Sequence, residues 1–418
     1  MEQKEMAEYT AILREELIPA MGCTEPISIA YAAAVALRLL GRMPERVEGL
    51  MSGNIVKNVK CVIVPNSGGE KGINVAIALG LAAGDPDKKL EVVADVDDAG
   101  RERMRALLRS GIITSDLSES EIPLDIELKL TAGEDTVSIR IAETHLNIVH
   151  LEKNGRILTD KPVSRTTTPH CDLTAEKILD YARDCPLEDV EELLDRQIRY
   201  NEAISREGLR SPWGSCIGQT ILQENGDVRA RAAAWAAAGS DARMNGCELP
   251  VVINSGSGNQ GITVCLPVLA YARELQSSRE TTLRALLVSN LLAIYQKKQI
   301  GSLSAYCGAV SAACGAAAGI AYLRGLPRKT IMDTFSNGLA IASGVVCDGA
   351  SASCAGKIAI GVFSGLLGMD LACRECSLLP GEGIVGSNID STVSHVAAIA
   401  RDGMHQTDRE ILQIMMNE

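Results

Sequence analysis

The residues in this chain that could do chemistry are its cysteines, thirteen among 418 residues. Four of them, Cys307, Cys314, Cys347 and Cys354, fall within residues 302–357, a stretch rich in Ala, Gly and Ser. Small residues let helices approach closely and bring thiols together. Cys354 follows Cys347 by seven positions, which on a straight helix is about 10 Å along the axis and too far for two ligands of one centre. The intervening Asp348-Gly349-Ala350-Ser351-Ala352-Ser353 reads as a turn, so the chain can wrap and bring both sulfurs together. Cys314 lies in AVSAACGAAAGIAYL, which has no breaker but Gly, and is expected to stay on its helix as packing. Cys23 stands apart in Gly22-Cys23-Thr24-Glu25-Pro26. Thr24 with Pro26 just inside is a helix-start signal, which places Cys23 at a helix N-terminus, where thiolates are stabilised. The dense Cys-x-x-Cys spacing of ferredoxins is missing, so spacing leaves open whether these thiols hold a metal cluster or fill space.

Two loops echo each other. VIVPNSGGEKGINVAIALG at 62–80 parallels VVINSGSGNQGITVCLPVLA at 251–270, with Asn66, Ser67 and Gly68 matching Asn254, Ser255 and Gly256. Each leads from a β-like run into a helix, where successive backbone N–H groups can form an anion-binding concavity. A substrate carboxylate is the natural occupant, so Asn66, Ser67, Gly68, Asn254, Ser255, Gly256 and Asn259 are the candidate substrate-binding residues; a tight turn without a ligand is the alternative. Gly256-x-Gly258-x-x-Gly261 satisfies the dinucleotide pattern literally, but helix follows helix with no second strand carrying a ribose-binding acid. Cys373-x-x-Cys376 has no partner pair at zinc-finger spacing and reads as two core thiols. The five histidines, His145, His150, His170, His395 and His405, form no metal-binding pair. Lys357 is weighed as a Schiff-base lysine, but no phosphate cup accompanies it, and it reads as a helix-start lysine near an anionic centre.

The elements that must position these groups divide by texture. Residues 6–20 and the helix beginning at Thr24 and ending at Gly41 form an N-terminal segment, 1–44. Residues 45–170 read as a mixed α/β lobe, with β-rich runs at 59–64, 90–94, 126–130, 136–141 and 146–151 and a helix near 99–110. Residues 171–418 read as a helical lobe, opening with two charge-rich helices broken near Pro186 and closing with two short helices around Gly403. The expected fold class is α+β, a mainly helical lobe with an inserted mixed α/β lobe, and the N-terminal helices are expected to pack on the helical lobe if Cys23 is to reach the thiols there. Aromatic residues are only 3%, which demands an aliphatic, small-residue core and disfavours a base-stacking platform. The net charge of −12 argues further against nucleic acid or an anionic membrane as partner. The uncharged run between Lys298 and Arg324 is long enough to span a bilayer, yet its Gly, Ala and Ser content favours a buried helix. The charged start MEQKEMAEYT has no apolar signal region, and so many cysteines without one point to a reducing cytosol. The strands and charge-rich helices could support a homodimer.

GCTEPISIAYAAA, NSGSGNQGI, YCGA, VVCDGASASCAGK and the ending GEGIV…DGMHQTDREILQIM together resemble bacterial and archaeal L-cysteine desulfidases and the serine dehydratase α-chain-like proteins grouped with them. The resemblance covers nearly the whole chain, and its second half is similar to the α-domain of iron–sulfur L-serine dehydratases. It implies α,β-elimination from a small amino acid at an oxygen-sensitive 4Fe–4S cluster, with three cysteines holding three irons and the fourth iron open. Cys307, Cys347 and Cys354 match the ligand positions, and Cys23 matches the cysteine proposed as catalytic base. L-Cysteine, giving pyruvate, ammonia and hydrogen sulfide, is the expected substrate. L-Serine or a related amino acid is the alternative, and a non-catalytic thiol-rich binding protein of the same fold is a third reading. The chain departs from the serine dehydratases in a shorter gap between Cys347 and Cys354 and in having no cysteine after Cys376 to cover the open iron.

Overall fold

The computed structural model describes residues 1–163, 173–224 and 226–417. His170 and the expected boundary at 170/171 lie outside the described residues. Helix α1 (Gln3–Glu16) buries Tyr9, Ile12 and Leu13. Pro19 cannot extend it and instead starts the short strand β1 (Pro19–Met21). Helix α2 (Thr24–Leu40) follows with Cys23 as its N-cap, and Gly41 closes it at φ +84°, a left-handed cap suited to glycine. The first half continues through β2 (Arg46–Met51), α3 (Gly53–Val59), α4 (Ile73–Ala83), α5 (Asp98–Ser110), β3 (Ile113–Leu117), β4 (Asp125–Ala132), β5 (Asp135–Ala142), β6 (Ile148–Lys153) and β7 (Arg156–Asp160).

The sheet order is β3-β2-β4-β5-β6-β7, with β2 and β3 parallel and the other neighbours antiparallel. Period-two alternation explains its buried face: Ile126, Leu128 and Leu130 on β4 and Val137, Ile139 and Ile141 on β5 are buried, and polar residues alternate with them. Helix α2 lies over β4 and β5 and against α4. Gly80 of α4 comes so close to α2 that a Cβ there would stand 2.3 Å from the Ala30 carbonyl oxygen. Most of α2 thus belongs to the sheet layer, and its first turn reaches the helical body, where Thr24 Oγ1 donates to the Gly256 carbonyl. Two runs expected as strands are not strands. Residues 59–64 finish α3 and turn into the next loop, and residues 90–94 end a 3₁₀ segment and form turns. Both bury their valines, and short apolar runs of this kind carry no periodicity that separates strand from other buried backbone.

The second half comprises α6 (Ala175–Asp184), α7 (Glu191–Arg210), α8 (Ile217–Glu224), α9 (Val228–Met244), β8 (Pro250–Val252), α10 (Gly258–Glu274), α11 (Arg279–Ile300), α12 (Gly308–Leu323), α13 (Arg328–Ala342), α14 (Ser353–Cys373), α15 (Ile389–Ala398) and α16 (His405–Asn417). Helix α12 is the axis of this body, packed against α10, α11, α13 and α14. A Cβ on Gly365 of α14 would lie 2.9 Å from the Ala317 side chain and 3.0 Å from the Ala313 carbonyl of α12, so the small residues serve close helix approach. The uncharged run after Lys298 is interrupted between α11 and α12. Among the described residues only α14 is long and apolar enough to cross a membrane, and half of its most apolar window is buried in the protein. Antiparallel pairing of β1 with β8, Ala20 opposite Val251, ties the N-terminal segment to the helical body. A mostly helical chain with one mixed six-stranded sheet agrees with the α+β expectation.

One buried acid in this body gives a pH test. Asp241 of α9 is fully buried; its Oδ2 accepts the Gly218 backbone N–H at 3.0 Å and its Oδ1 has no partner among the described residues. Burial pushes its carboxyl up to about 6 despite backbone bonds that pull the other way. A raised folded-state pKa means that its contribution to stability is present at acid pH and is lost as pH rises through about 6. Asp241→Asn, which keeps an acceptor for Gly218, should therefore raise the melting temperature at pH 7.5 and have little effect near pH 4. The full linkage is at most roughly 3 kcal/mol. Calorimetry across that range checks it, and a variant equally shifted at both pH values would contradict the assignment.

Candidate active site

Four helix N-termini converge on one cavity of about 100 Å³. Cys23 caps α2, Ser257 caps α10, Cys307 caps α12, and Cys354 is the second residue of α14; all four line the cavity. Each helix end presents unpaired N–H groups and a partial positive charge, so their convergence makes a place for anions.

The thiols are brought there by specific backbone. Tyr306 and Val346 form an isolated antiparallel bridge, in which Cys307 N–H donates to the Val345 carbonyl (3.2 Å) and Cys347 N–H to the Ala305 carbonyl (2.6 Å). Residues 348–352 then turn back, as their sequence implies, and return Cys354 to the same cavity. Gly349, at φ +100°, packs so tightly that a Cβ would stand 2.5 Å from the Lys57 carbonyl of α3. All three cysteines are free thiols. Burial, then the neighbouring Cys347 and Cys354, push the Cys307 thiol up to about 12, and burial also raises Cys354. Cys314 is buried on α12 outside the cavity lining, its sulfur against Gly338.

Lys57 locks this turn from behind. It is fully buried, donates to the Cys347 carbonyl at 3.3 Å, and is ion-paired with Asp408 of α16. Asp408→Ala would leave a buried ammonium facing only a carbonyl, at a cost of roughly 3–5 kcal/mol. The expected result is a lower denaturation midpoint and faster proteolysis within α16; an unchanged midpoint would mean that the pair contributes nothing.

Cys23 is fully enclosed. Its Sγ donates to Glu25 Oε2 at 3.0 Å, and the other Glu25 oxygen accepts from Asn58 Nδ2 at 3.1 Å. Burial first, then the Glu25 charge, push the Cys23 thiol well above its ordinary value, while Arg243 pulls it down. The helix end was expected to favour the thiolate; burial and the adjacent carboxylate outweigh it, and the thiol is a neutral donor. Burial likewise pushes Glu25 up, but His145, Cys23 and its own backbone N–H more than offset that and hold it at about 2. His145 Nε2 lies 4.0 Å from Glu25 Oε1, beyond hydrogen-bond reach.

Of the expected substrate-loop residues, Ser255, Gly256 and Asn259 line the cavity. Asn254 lies behind it, bonded to Asn290. The first loop does not line it: Asn66 donates to the carbonyls of Val93 and Ala94, and Ser67 to that of Glu70. Lys357 is paired with Asp348 outside the lining, and Cys373 and Cys376 are exposed rather than in the core. Sequence reasoning missed Glu25, Asn58, His145, Arg243, Gln260 and Lys297, all of which line the cavity. Lys297 is 7% exposed, and burial lowers its ammonium to about 8 against the pull of Cys347, Cys307 and Glu25. The available signal was Arg243 and Asp241 inside an otherwise Ala-rich helix, since charges on a face that small sequence demands be buried need a purpose.

Buried polar atoms are nearly always paired. Among the described residues ten side-chain atoms are buried without a partner, and four of these, His145 Nε2, Arg243 Nε, Gln260 Oε1 and Tyr306 Oη, belong to residues lining this cavity. No three His, Cys, Asp or Glu among the described residues are grouped to hold a single metal ion.

The profile described as Serine dehydratase alpha chain matches residues 87–413, which include every thiol of the cavity except Cys23. The chain belongs to the serine dehydratase alpha-chain family. Among the relatives of this family member is a UPF0597 protein of Desulfitobacterium hafniense, 48% identical over 416 residues, covering 98% of this chain and 96% of that protein. A UPF0597 protein of Lachnoclostridium phytofermentans is 46% identical over 410 residues, covering 97% and 98% respectively. One of Finegoldia magna is 43% identical over 417 residues, covering 99% and 100%. These relatives extend through Cys23, and membership in the serine dehydratase alpha-chain family supports a lyase of the amino acid dehydratase type.

Proposed function

We propose that this protein catalyses α,β-elimination from a small L-amino acid, L-cysteine foremost, giving pyruvate, ammonia and hydrogen sulfide. The observation that carries the reading is that Cys23, Cys307, Cys347 and Cys354, drawn from opposite ends of the chain, line one small cavity. A 4Fe–4S cluster held by Cys307, Cys347 and Cys354 fits that donor set. Each cysteine of a cubane binds a different iron, so the sulfurs need not crowd as around a single ion, and the helix ends favour the negative charge of deprotonated ligands. Bound there, the cluster would supply a Lewis acid at an iron without a protein ligand.

The chain's own residues do the rest. Cys23, once its proton has passed to water, takes the proton from the substrate α-carbon. The electron pair of that C–H bond becomes the Cα–Cβ double bond as sulfide departs with the electrons of the C–S bond. The aminoacrylate then tautomerises to an imine and adds water, giving pyruvate and ammonia. Glu25 holds the Cys23 proton on a fixed axis and supplies the negative charge that a substrate ammonium seeks. The Ser255–Asn259 loop, at the start of α10, offers backbone N–H groups to a carboxylate. L-Serine elimination by the same steps is the second reading, favoured by the family description.

Anaerobic reconstitution, an iron and sulfide count per chain, and pyruvate, ammonia and sulfide assays on a panel of small L-amino acids test the proposal. An iron-replete chain that forms pyruvate from none of them would sink it. Pyruvate from serine but not cysteine would select the second reading.

A further inference from the structure

We propose that Arg243 is the anchor for the substrate α-carboxylate and so restricts the site to free α-amino acids. The word substrate rests on the elimination reading above; the anion site itself stands on the geometry. Arg243, on the last turn of α9, is 2% exposed. A guanidinium keeps its charge at any working pH, and a buried fixed charge ordinarily has a counter-charge. This one has none: among the described residues no carboxylate lies within ion-pair distance, and its bonds run from Nη1 to the neutral Asn259 Oδ1 (3.0 Å) and Met244 Sδ (3.9 Å). Its Nε is buried and has no partner among the described residues.

Three further observations point to a carboxylate. Arg243 is laid across the first turn of α10, where a Cβ on Gly258 would stand 2.3 Å from Nε, so glycine is what admits it. That turn is the positive end of a helix, and it adds to the charge of the guanidinium instead of compensating it. Apart from the thiols, the cavity lining carries Arg243 and Lys297 against the single carboxylate of Glu25. The planar fork of arginine matches a planar carboxylate in two parallel bonds. Cys23 is bonded to Glu25 and shares the cavity lining with Arg243, whose charge it feels. An amino acid with its carboxylate on Arg243 and its ammonium toward Glu25 would therefore present its α-carbon between them, at the thiol.

Isothermal calorimetry on the full chain, prepared anaerobically with its iron, tests this with L-alanine, which has no leaving group, and L-alaninamide, which lacks the carboxylate. The wild type should bind L-alanine about tenfold or more tighter than L-alaninamide. Arg243→Gln should lose that preference. Asn259→Asp keeps the arginine buried but sets a carboxylate against it, and should lose the preference too, at unchanged iron content and unchanged circular dichroism. Should Arg243→Gln fail to fold, Asn259→Asp decides. A wild type that binds both probes alike, or neither, overturns the proposal, as does an Asn259→Asp variant with wild-type affinity for L-alanine. If no amino acid yields pyruvate but the alanine preference exists and is lost in Asn259→Asp, the anchor stands and the elimination reading falls.

Discussion

Cys307→Ser is expected to leave the chain folded, with substoichiometric iron and turnover at background. The substitution changes one atom at the N-cap of α12, and a serine cap is at least as good for the helix as cysteine. What is lost is the ligand, because a thiolate is accessible near neutral pH once a metal competes for the proton, whereas an alkoxide is not. Cys347→Ser and Cys354→Ser should behave alike, because all three sulfurs line the same cavity. Cys314→Ser supplies the contrast, seven residues along the same helix. Cys314 is buried beside Gly338 and away from the cavity, so its replacement should keep iron and activity while burying a hydroxyl, at a stability cost of about 1–3 kcal/mol. Iron analysis, the visible spectrum and the melting temperature of the four variants separate ligand loss from misfolding. A Cys307→Ser protein with full iron and full activity would end the cluster assignment.

The limits of the four-thiol reading are physical. Helix α2 could be read from Thr24 to Gly41 because Pro26 and Gly41 are local signals, obeyed wherever the helix lies. Cys347 and Cys354 could be read as converging because the intervening residues are turn formers. The convergence of α10 and α14 on the same point could not, since it depends on how Gly365 and its neighbours let helices close on α12. Lys297 illustrates the difficulty best. In sequence it is a basic residue in the last turn of a helix, a normal surface arrangement; only the fold reveals that this turn ends inside the protein, beside Cys307 and Cys347. Glu25 and Arg243 present the same difficulty. Periodicity reports which face is apolar, not which polar residue is carried inward with it. The thiolate expectation for Cys23 failed on magnitude. A helix end is worth about 0.3–1 kcal/mol at exposed positions, whereas complete burial next to a carboxylate acts in the opposite direction and wins.

Cys23→Ser should lower kcat by about 10²- to 10⁴-fold, the span ascribed to a positioned acid or base, while iron content and L-alanine binding stay near wild type. Serine is nearly isosteric and can still donate to Glu25, so the network survives; its hydroxyl holds its proton too tightly to serve as a base. The pH profile gives the sharper test. Because burial and Glu25 raise the Cys23 thiol, kcat/KM in the wild type should still be climbing on the alkaline side of neutrality. Glu25→Gln removes the negative charge that opposes ionisation of Cys23 and adds an amide N–H able to donate to a thiolate, so the rising limb should move to lower pH in that variant. The same substitution has a separate effect on stability. Glu25 is held at about 2 in the fold, so its stabilising contribution is present above the ordinary carboxylate range and lost only as pH falls toward 2. The stability gap between wild type and Glu25→Gln should therefore stay constant from neutral pH down to about 4.5 and close below it, while the kinetic limb moves in the alkaline range. Two shifts in different pH windows from one substitution would place Glu25 beside a titrating Cys23. A kinetic limb that does not move would mean that some other group loses the proton that the rate depends on.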